Sequence, residues 1–407
     1  MAKLRPFRAL RPLPEKAAEV SAVPYDVVNR SEAFELARDL PLSFLHVSRA
    51  EIDLPTDVDP YSPAVYEKAR TNFSNLQKSA PLIQDPAPCL YVYRLSQGTH
   101  IQTGIAATFS IDEYDQDQIK KHERTRQDKE DDRTRHLLAI EAQTGPVFLA
   151  YRAQRKIDEA VTALTQDPPL FDFRATDGVS HQIWKVEQTD PLCDHFLKVK
   201  TLYIADGHHR AASASRTRTE LKNKNPNHRG TEAYNFVLAV AFPENQLRIL
   251  PYHRLVKDLA GLTDSDFLKH LEYEFKVTTG AAPAPARGEF AMFLNSNWYN
   301  LKPTRPIPQE LPSASLDVSI LQDRLLKPIL KIENPRTDSR IDFVGGIRGT
   351  PELEKRVSSG QCAVAFALHP TSLDDLFKIS DAGEIMPPKS TWFEPKLRDG
   401  LLSHLLK

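Results

Sequence analysis

The chain has 407 residues, of which 41% are hydrophobic and 26% are charged, a composition typical of folded globular proteins rather than disordered chains. Its 53 basic and 54 acidic side chains leave a net charge of -1, which argues against a dedicated nucleic-acid binder. A single hydrophobic core stops growing at roughly 250–300 residues, so we expect more than one packed unit.

Neither a membrane-spanning segment nor a cysteine-based site is predicted. The sequence has no run of about 18 apolar residues, and its first residues lack the apolar core of a signal peptide. Cys89, Cys193 and Cys362 stand far apart and form no Cys-x-x-Cys pair, which argues against disulfides and a cysteine zinc site. We therefore expect a cytoplasmic protein without a cysteine-based metal site, and no residue is assigned as a metal ligand.

The predicted elements of the first 250 residues are helices interleaved with strands. Asn29 and Glu32 form a capping-box pattern that predicts a helix over residues 30–40. Further helices are predicted over 64–78, 129–143, 157–164 and 211–221, and strands over 90–95, 101–110, 147–151, 181–186, 202–205, 234–242 and 247–250. Gln97 and Gly98 separate the first two strands and predict a hairpin.

The last part of the chain begins with two proline-rich stretches, residues 281–287 and 302–312, which predict loops or linkers. Strands are predicted over 290–294, 298–301, 341–344 and 364–368, and helices over 315–326, 373–379 and 396–406. Because strands and helices interleave without regular βαβ units, the predicted fold class is α+β or mixed α/β. The expected regions are an N-terminal mixed α/β region (1–165), a central phosphate-binding region (166–280) and a C-terminal α/β region packed on the rest (281–407).

The strongest functional signal is the segment from Asp206 to Arg210, between a predicted strand and a predicted helix. Gly207 permits a tight turn, and the N–H groups and dipole of a helix start attract anions. Arg210 can bind a phosphate with its planar guanidinium, and His208 and His209 can donate hydrogen bonds or transfer protons. Asp206 could hold a metal or accept a hydroxyl proton. The alternative is a histidine-rich helix cap without chemistry.

A second polar segment, residues 121–126, contains candidate acid, base and phosphate-binding groups. His122 and Glu123 could act as acid and base, and Lys121 could bind a phosphate. The metalloprotease pattern His-Glu-x-x-His fails because Arg126 stands at the position of its second histidine. The alternative is a solvated charged face with intrahelical ion pairs.

Two further segments combine prolines with polar side chains. Tyr25 and Asp26 follow a proline and offer a phenol and a carboxylate to a substrate, although the same pattern is typical of a simple turn. Lys389, Ser390 and Thr391 follow two prolines and offer a charge and two hydroxyls to a phosphate. A proline-ordered loop is the alternative there.

Four motifs, taken in this order, resemble the family of domain of unknown function 1015. They are Pro24-Tyr25-Asp26-Val27, Lys121-His122-Glu123-Arg124-Thr125, Leu250-Pro251-Tyr252-His253-Arg254 and Met386-Pro387-Pro388-Lys389-Ser390-Thr391-Trp392-Phe393. The resemblance covers nearly the whole chain, and the name of the family implies no activity.

The Asp-Gly-His-His-Arg turn, followed by an Ala-rich helix, is similar to the signature of the ParB/sulfiredoxin-like group. That group includes partition proteins that bind CTP, sulfiredoxins that use ATP, and free-serine kinases. The resemblance implies a ParB/sulfiredoxin-like central unit with ATP or ADP and Mg²⁺ as cofactors. The kinase branch further implies binding and catalytic roles for Asp206, His208, His209 and Arg210, together with a glutamate for which Glu123 is the candidate.

Two functions fit these residues. The first is a phosphotransferase that moves a phosphoryl group from a nucleotide or polyphosphate to a small hydroxylated metabolite, with free serine as the leading acceptor. The reverse reaction and phosphoserine hydrolysis would use the same groups. The second is a non-catalytic, nucleotide-binding regulator of the ParB-like type. In both cases the expected partner is a small phosphorylated molecule, and neither a membrane nor nucleic acid is expected.

Overall fold

The computed structural model describes residues 2–79, 82–280, 283–308 and 310–407, which form two compact units. The first unit contains Met1–Leu247 and Pro395–Lys407, and the second contains Arg248–Glu394. The three regions expected from the sequence follow chain order, whereas the first unit takes in both the start and the end of the chain. Strand pairing explains why the first unit contains both ends of the chain, because neighbouring strands of a sheet come from distant parts of the sequence.

The strands of the described residues, in chain order, are mostly short. They are β1 Leu4–Arg5, β2 Leu10–Arg11, β3 Ile83–Gln84, β4 Leu90–Gln97, β5 His100–Ser110, β6 Ile119–Lys120, β7 Ala142–Gln143, β8 Val147–Tyr151, β9 Phe171–Arg174, β10 Ser180–Val186, β11 Leu202–Asp206, β12 Phe236–Pro243, β13 Ile249–Leu250, β14 Tyr252–Val256, β15 Phe275–Thr279, β16 Phe290–Leu294, β17 Asn297–Pro303, β18 Ile341–Gly345, β19 Val364–Ala367, β20 Trp392–Phe393 and β21 His404–Leu405.

The α-helices of the described residues range from one turn to nearly five turns. They are α1 Ala17–Val20, α2 Arg30–Ala37, α3 Leu45–Ser48, α4 Pro63–Ser79, α5 Ile111–Asp115, α6 Gln127–Ile140, α7 Arg155–Leu164, α8 Asp190–Phe196, α9 His208–Lys224, α10 Asp264–Leu271, α11 Asp317–Leu321, α12 Gly349–Ser358 and α13 Leu373–Asp381. Among these described helices, none combines the length and the apolarity needed to cross a bilayer.

Within the described part of the first unit, nine strands form one mixed sheet. Its order is β6-β11-β8-β12-β5-β4-β10-β9, with β1 paired to β5. Strand β11 runs antiparallel to β8 and parallel to β6, and β12 runs parallel to β8. Strands β4 and β5 form the predicted hairpin, in which Gly98 takes a φ of 60°. The mixed sheet and its helices make this an α+β protein, as the sequence predicts.

The core of the first unit lies between this sheet and helices that include α7, α8 and α9. Ile204 of β11 is fully buried, and Ala211 and Ala214 form part of the buried face of α9. These alanines are small, so the backbone of α9 can lie close to the sheet and its first turn is held firmly at the end of β11. A second cluster, under α2 and α4, contains Ala33, Phe44 and Phe73.

The second unit contains an antiparallel sheet in the order β15-β17-β16-β19-β14-β18 within its described residues. Leu353 of α12 packs on Ala365 and Phe293 of that sheet. Strands β13 and β20 pair through Ile249 and Phe393, and they bring together the two family motifs on either side of them.

Local sequence signals predict the N-terminal elements well and the C-terminal segment poorly. The capping box of Asn29 and Glu32 is confirmed at the start of α2. The predicted helix over 129–143 ends at Ile140, because Glu141 adopts a left-handed φ of 54°. The predicted helix over 396–406 is wrong: this segment is irregular, with Gly400 at a φ of 84°, and only β21 is regular. Its leucines are buried by long-range contacts rather than along one helix face.

Candidate functional site

The site is built around the turn that joins β11 to α9. The apolar residues of β11 are buried, and the strand ends at Asp206. Gly207 follows with a φ of 91°, a conformation that favours glycine, and α9 begins at His208. The first N–H groups of a helix have no partner within the helix, and its dipole is positive there. The turn therefore presents the electropositive end of a helix, which attracts anions.

The side chain of Arg210 folds back over this turn. A Cβ atom at Gly207 would lie 3.2 Å from Arg210 Nε, so glycine leaves the space that the guanidinium uses. Arg210 Nη1 donates to the carbonyl of Pro146, and Nη2 lies 3.7 Å from a carboxylate oxygen of Asp26 and 4.0 Å from one of Asp206. Burial opposes the charge, but Asp26 and Asp206 hold the pKa of Arg210 above its ordinary value. The cation is therefore permanent.

Asp206 forms an ion pair with Lys396, which comes from the end of the chain. Its Oδ2 lies 2.8 Å from Lys396 Nζ, and its Oδ1 accepts a hydrogen bond from the backbone N–H of Gly207 at 2.8 Å. Burial favours the neutral acid, but Lys396 and Arg210 outweigh it and hold the pKa of Asp206 below its usual range. Asp206 is thus a fixed negative charge and a weak proton acceptor.

His208 and His122 form a buried pair next to the turn. Their rings meet edge to face, with centroids 4.4 Å apart, and His208 Nε2 accepts from the backbone N–H of His122 at 3.4 Å. Burial lowers the pKa of each imidazole to about 3, so both are neutral at physiological pH. The pair joins the polar segment 121–126 to the start of α9.

His209 makes a second link to the same polar segment. It is half-buried, and its Nε2 accepts from the backbone N–H of Arg126 at 3.1 Å. Lys121 is bound to Asp117 at 2.8 Å, with its ammonium 4.1 Å from the centre of the Tyr114 ring. Glu123 is half-buried in this segment. The predicted polar segments 121–126 and 206–210 therefore lie in contact, although the Lys121 ammonium pairs with the nearby Asp117.

Tyr25 and Asp26 lie on the other side of Arg210. Asp26 faces the guanidinium as described, and the buried Tyr25 ring carries the guanidinium of Arg133 4.3 Å above its centre. Arg133 is in turn paired with Asp132 at 2.8 Å. Burial and the nearby Asp26 raise the pKa of the Tyr25 phenol, so it remains protonated and can donate a hydrogen bond. The structure thus brings the predicted substrate-binding motif to the predicted phosphate-binding turn.

A small cavity opens beside Arg210, with a volume of about 40 Å³. Side chains from several elements line it, among them those of Tyr25, Arg133, His136, Thr144, Arg210 and Asp399. Asp399 is held there by backbone hydrogen bonds with Ala22, and the N–H of Gly400 donates to the carbonyl of Thr144 at 3.0 Å. The C-terminal segment therefore completes the wall of the cavity.

Sequence reasoning missed three residues of this cluster as site residues: Arg133, Lys396 and Asp399. Arg133 lies in the predicted helix over 129–143, and the other two lie in the predicted helix over 396–406. The available signal is the run Lys-Leu-Arg-Asp-Gly within an otherwise apolar tail. Such a run is compatible with a solvated surface as well, so only the structure distinguishes the two.

Lys389, Ser390 and Thr391 belong to the second unit. The hydroxyl of Ser390 donates to the carbonyl of Pro387 at 2.7 Å, and the ammonium of Lys389 lies 5.6 Å from the centre of the Tyr252 ring. Lys389 also has a left-handed φ of 57°. These contacts lie within the second unit, and a phosphate-binding role for the three residues stays a prediction.

In the part of the chain that the structure describes, no three His, Cys, Asp or Glu side chains converge in a way that could hold a metal ion. Mg²⁺ commonly takes one or two carboxylates and obtains its remaining ligands from phosphates and water. The residues of the turn are compatible with that arrangement.

An α+β fold with a buried arginine at a helix start is a scaffold suited to binding anions. The chain belongs to the family described as protein of unknown function (DUF1015), whose sequence profile matches residues 4–319. The predicted family is thereby confirmed, whereas the ParB/sulfiredoxin-like resemblance of the turn stays a prediction. No curated protein matches the chain.

Several solved structures have a distant similarity to this one. A free serine kinase in complex with AMP is 12% identical, with 71% of this chain and 86% of that chain covered and a TM-score of 0.35. A conserved hypothetical protein from Pyrococcus furiosus is 13% identical over 74% of this chain and 94% of its own, with a TM-score of 0.35. C-terminally truncated SbnI from Staphylococcus aureus is 13% identical over 72% and 85%, with a TM-score of 0.36.

Proposed function

We propose that the first unit catalyses phosphoryl transfer from a nucleotide or polyphosphate to a small hydroxylated metabolite in the cytoplasm. The observation that supports this most directly is the start of α9, where the Gly207 turn, the first N–H groups of the helix and the Arg210 cation converge. Phosphoryl transfer depends mainly on positioning and on electrostatic stabilisation of charge, and both can be supplied by such a turn.

In this proposal Arg210 and the N–H groups of α9 hold the transferring phosphoryl group. Arg210 Nε has no hydrogen-bond partner among the described residues, and in this proposal a phosphate oxygen accepts its N–H. Asp26 and Asp206 fix the guanidinium in place. Asp206 would hold Mg²⁺ when the ion is bound, and the ion would supply positive charge against the negative charge that develops on the phosphate. The same groups serve the reverse reaction and the hydrolysis of phosphoserine.

The histidines have binding roles in this scheme. Because burial keeps His208 neutral, it contributes hydrogen bonding and position rather than proton transfer at physiological pH. His209 and His122 would hold segment 121–126, including Lys121 and Glu123, beside the phosphate.

Free serine is the leading acceptor because residues 206–210 resemble the free-serine-kinase branch of the ParB/sulfiredoxin-like group. The cavity of about 40 Å³ next to Arg210 would take the hydroxyl-bearing end of such an acceptor rather than the whole molecule. Tyr25 and Asp26 would contact this acceptor.

Phosphorus NMR of the protein with Mg²⁺, ATP, ADP or polyphosphate and a set of hydroxylated amino acids tests the proposal. We expect a new phosphomonoester signal with serine that Asp206→Ala abolishes. Nucleotide binding without any new signal would reject the enzyme and favour the nucleotide-binding regulator. Phosphoserine would then be supplied as substrate to test hydrolysis.

The role of Arg210 has a direct binding test. Arg210→Ala should weaken nucleotide or phosphoserine binding by about 10- to 100-fold, because a hydrogen bond to a charged group contributes roughly 1.5–3 kcal/mol. Arg218→Ala is the matched control, since Arg218 lies on the same helix and pairs with Asp112 and Asp115. Equal affinity of the Arg210 variant and the control, measured by calorimetry, would remove the central residue of the proposal.

A further inference from the structure

Asp399 is a buried carboxyl group in the wall of the cavity beside Arg210. The residue is 3% exposed, and its Oδ1 has no hydrogen-bond partner among the described residues. Buried polar atoms nearly always have a partner, so an unpartnered carboxyl oxygen in a residue that lines a cavity favours a ligand group as that partner. A buried water needs roughly 10–15 Å³, so the cavity accommodates a group of only a few heavy atoms.

The backbone around Asp399 holds this carboxyl group in position. The N–H of Asp399 donates to the carbonyl of Ala22 at 2.9 Å, and the N–H of Ala22 donates back at 3.2 Å. Gly145 lies opposite, and a Cβ atom there would come within 2.5 Å of Asp399 Oδ1. Glycine at position 145 therefore leaves the space that this oxygen occupies.

Asp206 and Asp399 both lie near Arg210, as Asp26 does, and the surroundings of these two carboxyl groups differ. Asp206 is paired with Lys396, which keeps it ionised and makes it a weak base. Asp399 has no such ion pair among the described residues, and burial raises its pKa to about 7. The charged groups that act on Asp399 are Arg210, Asp26, Arg133 and Arg398. A proton acceptor works best when its pKa lies near the working pH, which favours Asp399 over Asp206.

We infer that Asp399 is the proton acceptor for the acceptor hydroxyl, an inference that rests on the phosphoryl transfer proposed above. The Asp399 carboxylate takes the hydroxyl proton on Oδ1. The hydroxyl oxygen then uses its electron pair to form a bond to phosphorus. The bond between phosphorus and the bridging oxygen of the donor breaks, and that oxygen leaves with the electron pair. Arg210 contacts both the cavity and the phosphate-binding turn, so the two reactants meet at one guanidinium.

The test compares phosphoserine formation from Mg²⁺, ATP and L-serine by the wild type and by Asp399→Asn between about pH 5.5 and pH 8.5. The wild-type kcat should rise with pH through about 7, as Asp399 becomes ionised. Asp399→Asn should lower kcat by about 10²- to 10⁴-fold and remove this rise, as expected for loss of a general base. Its affinity for ATP should stay within about twofold, because Arg210 and the helix start remain. Asp57→Asn, at an exposed position, is the control.

The activities of the wild type and of Asp399→Asn separate a failure of this inference from a failure of the proposed function. If the wild type transfers phosphate and Asp399→Asn does so with the same kcat and pH profile, Asp399 is not the base, while the proposed function stands. If the wild type transfers no phosphate, the proposed function fails, and this inference fails with it. If Asp399→Asn does not fold, Gly145→Ala replaces it, since the added methyl group displaces Asp399 Oδ1 and should lower kcat with the carboxyl group still present.

Discussion

Two arginines with little exposed surface follow a histidine in this sequence, Arg210 at the start of α9 and Arg254 in β14, and their surroundings are opposite. Arg210 faces the carboxylates of Asp26 and Asp206. Arg254 donates to the carbonyls of Tyr252 and Pro388 and, among the described residues, pairs with no carboxylate. The pKa of Arg210 is held above its ordinary value, whereas burial lowers the pKa of Arg254 to about 9.

Both arginines follow a histidine, so this motif does not distinguish them, whereas the groups that each guanidinium contacts do. Carboxylates keep Arg210 charged at a helix start, which suits a binding site for an anion. Arg254 donates to the backbone carbonyl of Pro388 and so links the motif at 250–254 to the motif at 386–393 within the second unit. Burying a charge without an opposite charge is unfavourable, so Arg254 should contribute less to stability than Arg210.

Matched substitutions by methionine test this difference. Arg210→Met leaves Asp26 without its cation and the carbonyl of Pro146 without its donor, so we expect a loss of about 3 kcal/mol. Arg254→Met removes two hydrogen bonds but also an uncompensated charge, and we expect about 1 kcal/mol. Hydrogen exchange of β11 and β14 measures the opening free energy of each unit. A larger loss for Arg254→Met would contradict the comparison.

Asp399 offers a second test, in the pH dependence of stability. Its pKa is raised in the folded state, so its stabilising contribution is full below the pKa of the unfolded chain and is lost as pH rises towards 7. The free energy of unfolding of the wild type, relative to Asp399→Asn, should fall by about 1.4 kcal/mol per pH unit between roughly pH 4.5 and pH 7 and then stay constant. Chemical denaturation of both proteins across this range measures it. A difference independent of pH would show that Asp399 titrates normally.

Substitution of Lys389 should change the stability of the protein least. Its φ of 57° is unfavourable for a residue with a side chain, so Lys389→Gly should relieve strain and leave the second unit as stable as before or more stable by about 0.5 kcal/mol. Lys389→Ala is the control, because it removes the charge and keeps the Cβ atom. If Lys389 contributes to phosphate binding, both variants should bind phosphoserine more weakly. Unchanged affinity in both would exclude Lys389 from the site.

The sequence by itself determined the local parts of this protein. The capping box of α2, the hairpin of β4 and β5 and the turn after β11 depend on residues close together in the chain, so their patterns suffice to predict them. The Asp-Gly-His-His-Arg turn and the Pro-Tyr-Asp motif likewise singled out residues 206–210 and Asp26, which the structure brings together.

Only the tertiary structure decided which charged groups lie next to these residues. Lys396 and Asp399 reach the turn from the other end of the chain, through backbone pairing with Ala22 and packing against Gly145. No spacing in the sequence encodes such a contact, because it depends on how distant segments fold together. The resulting burial and ion pairing, rather than residue type, keep Asp206 ionised and raise the pKa of Asp399.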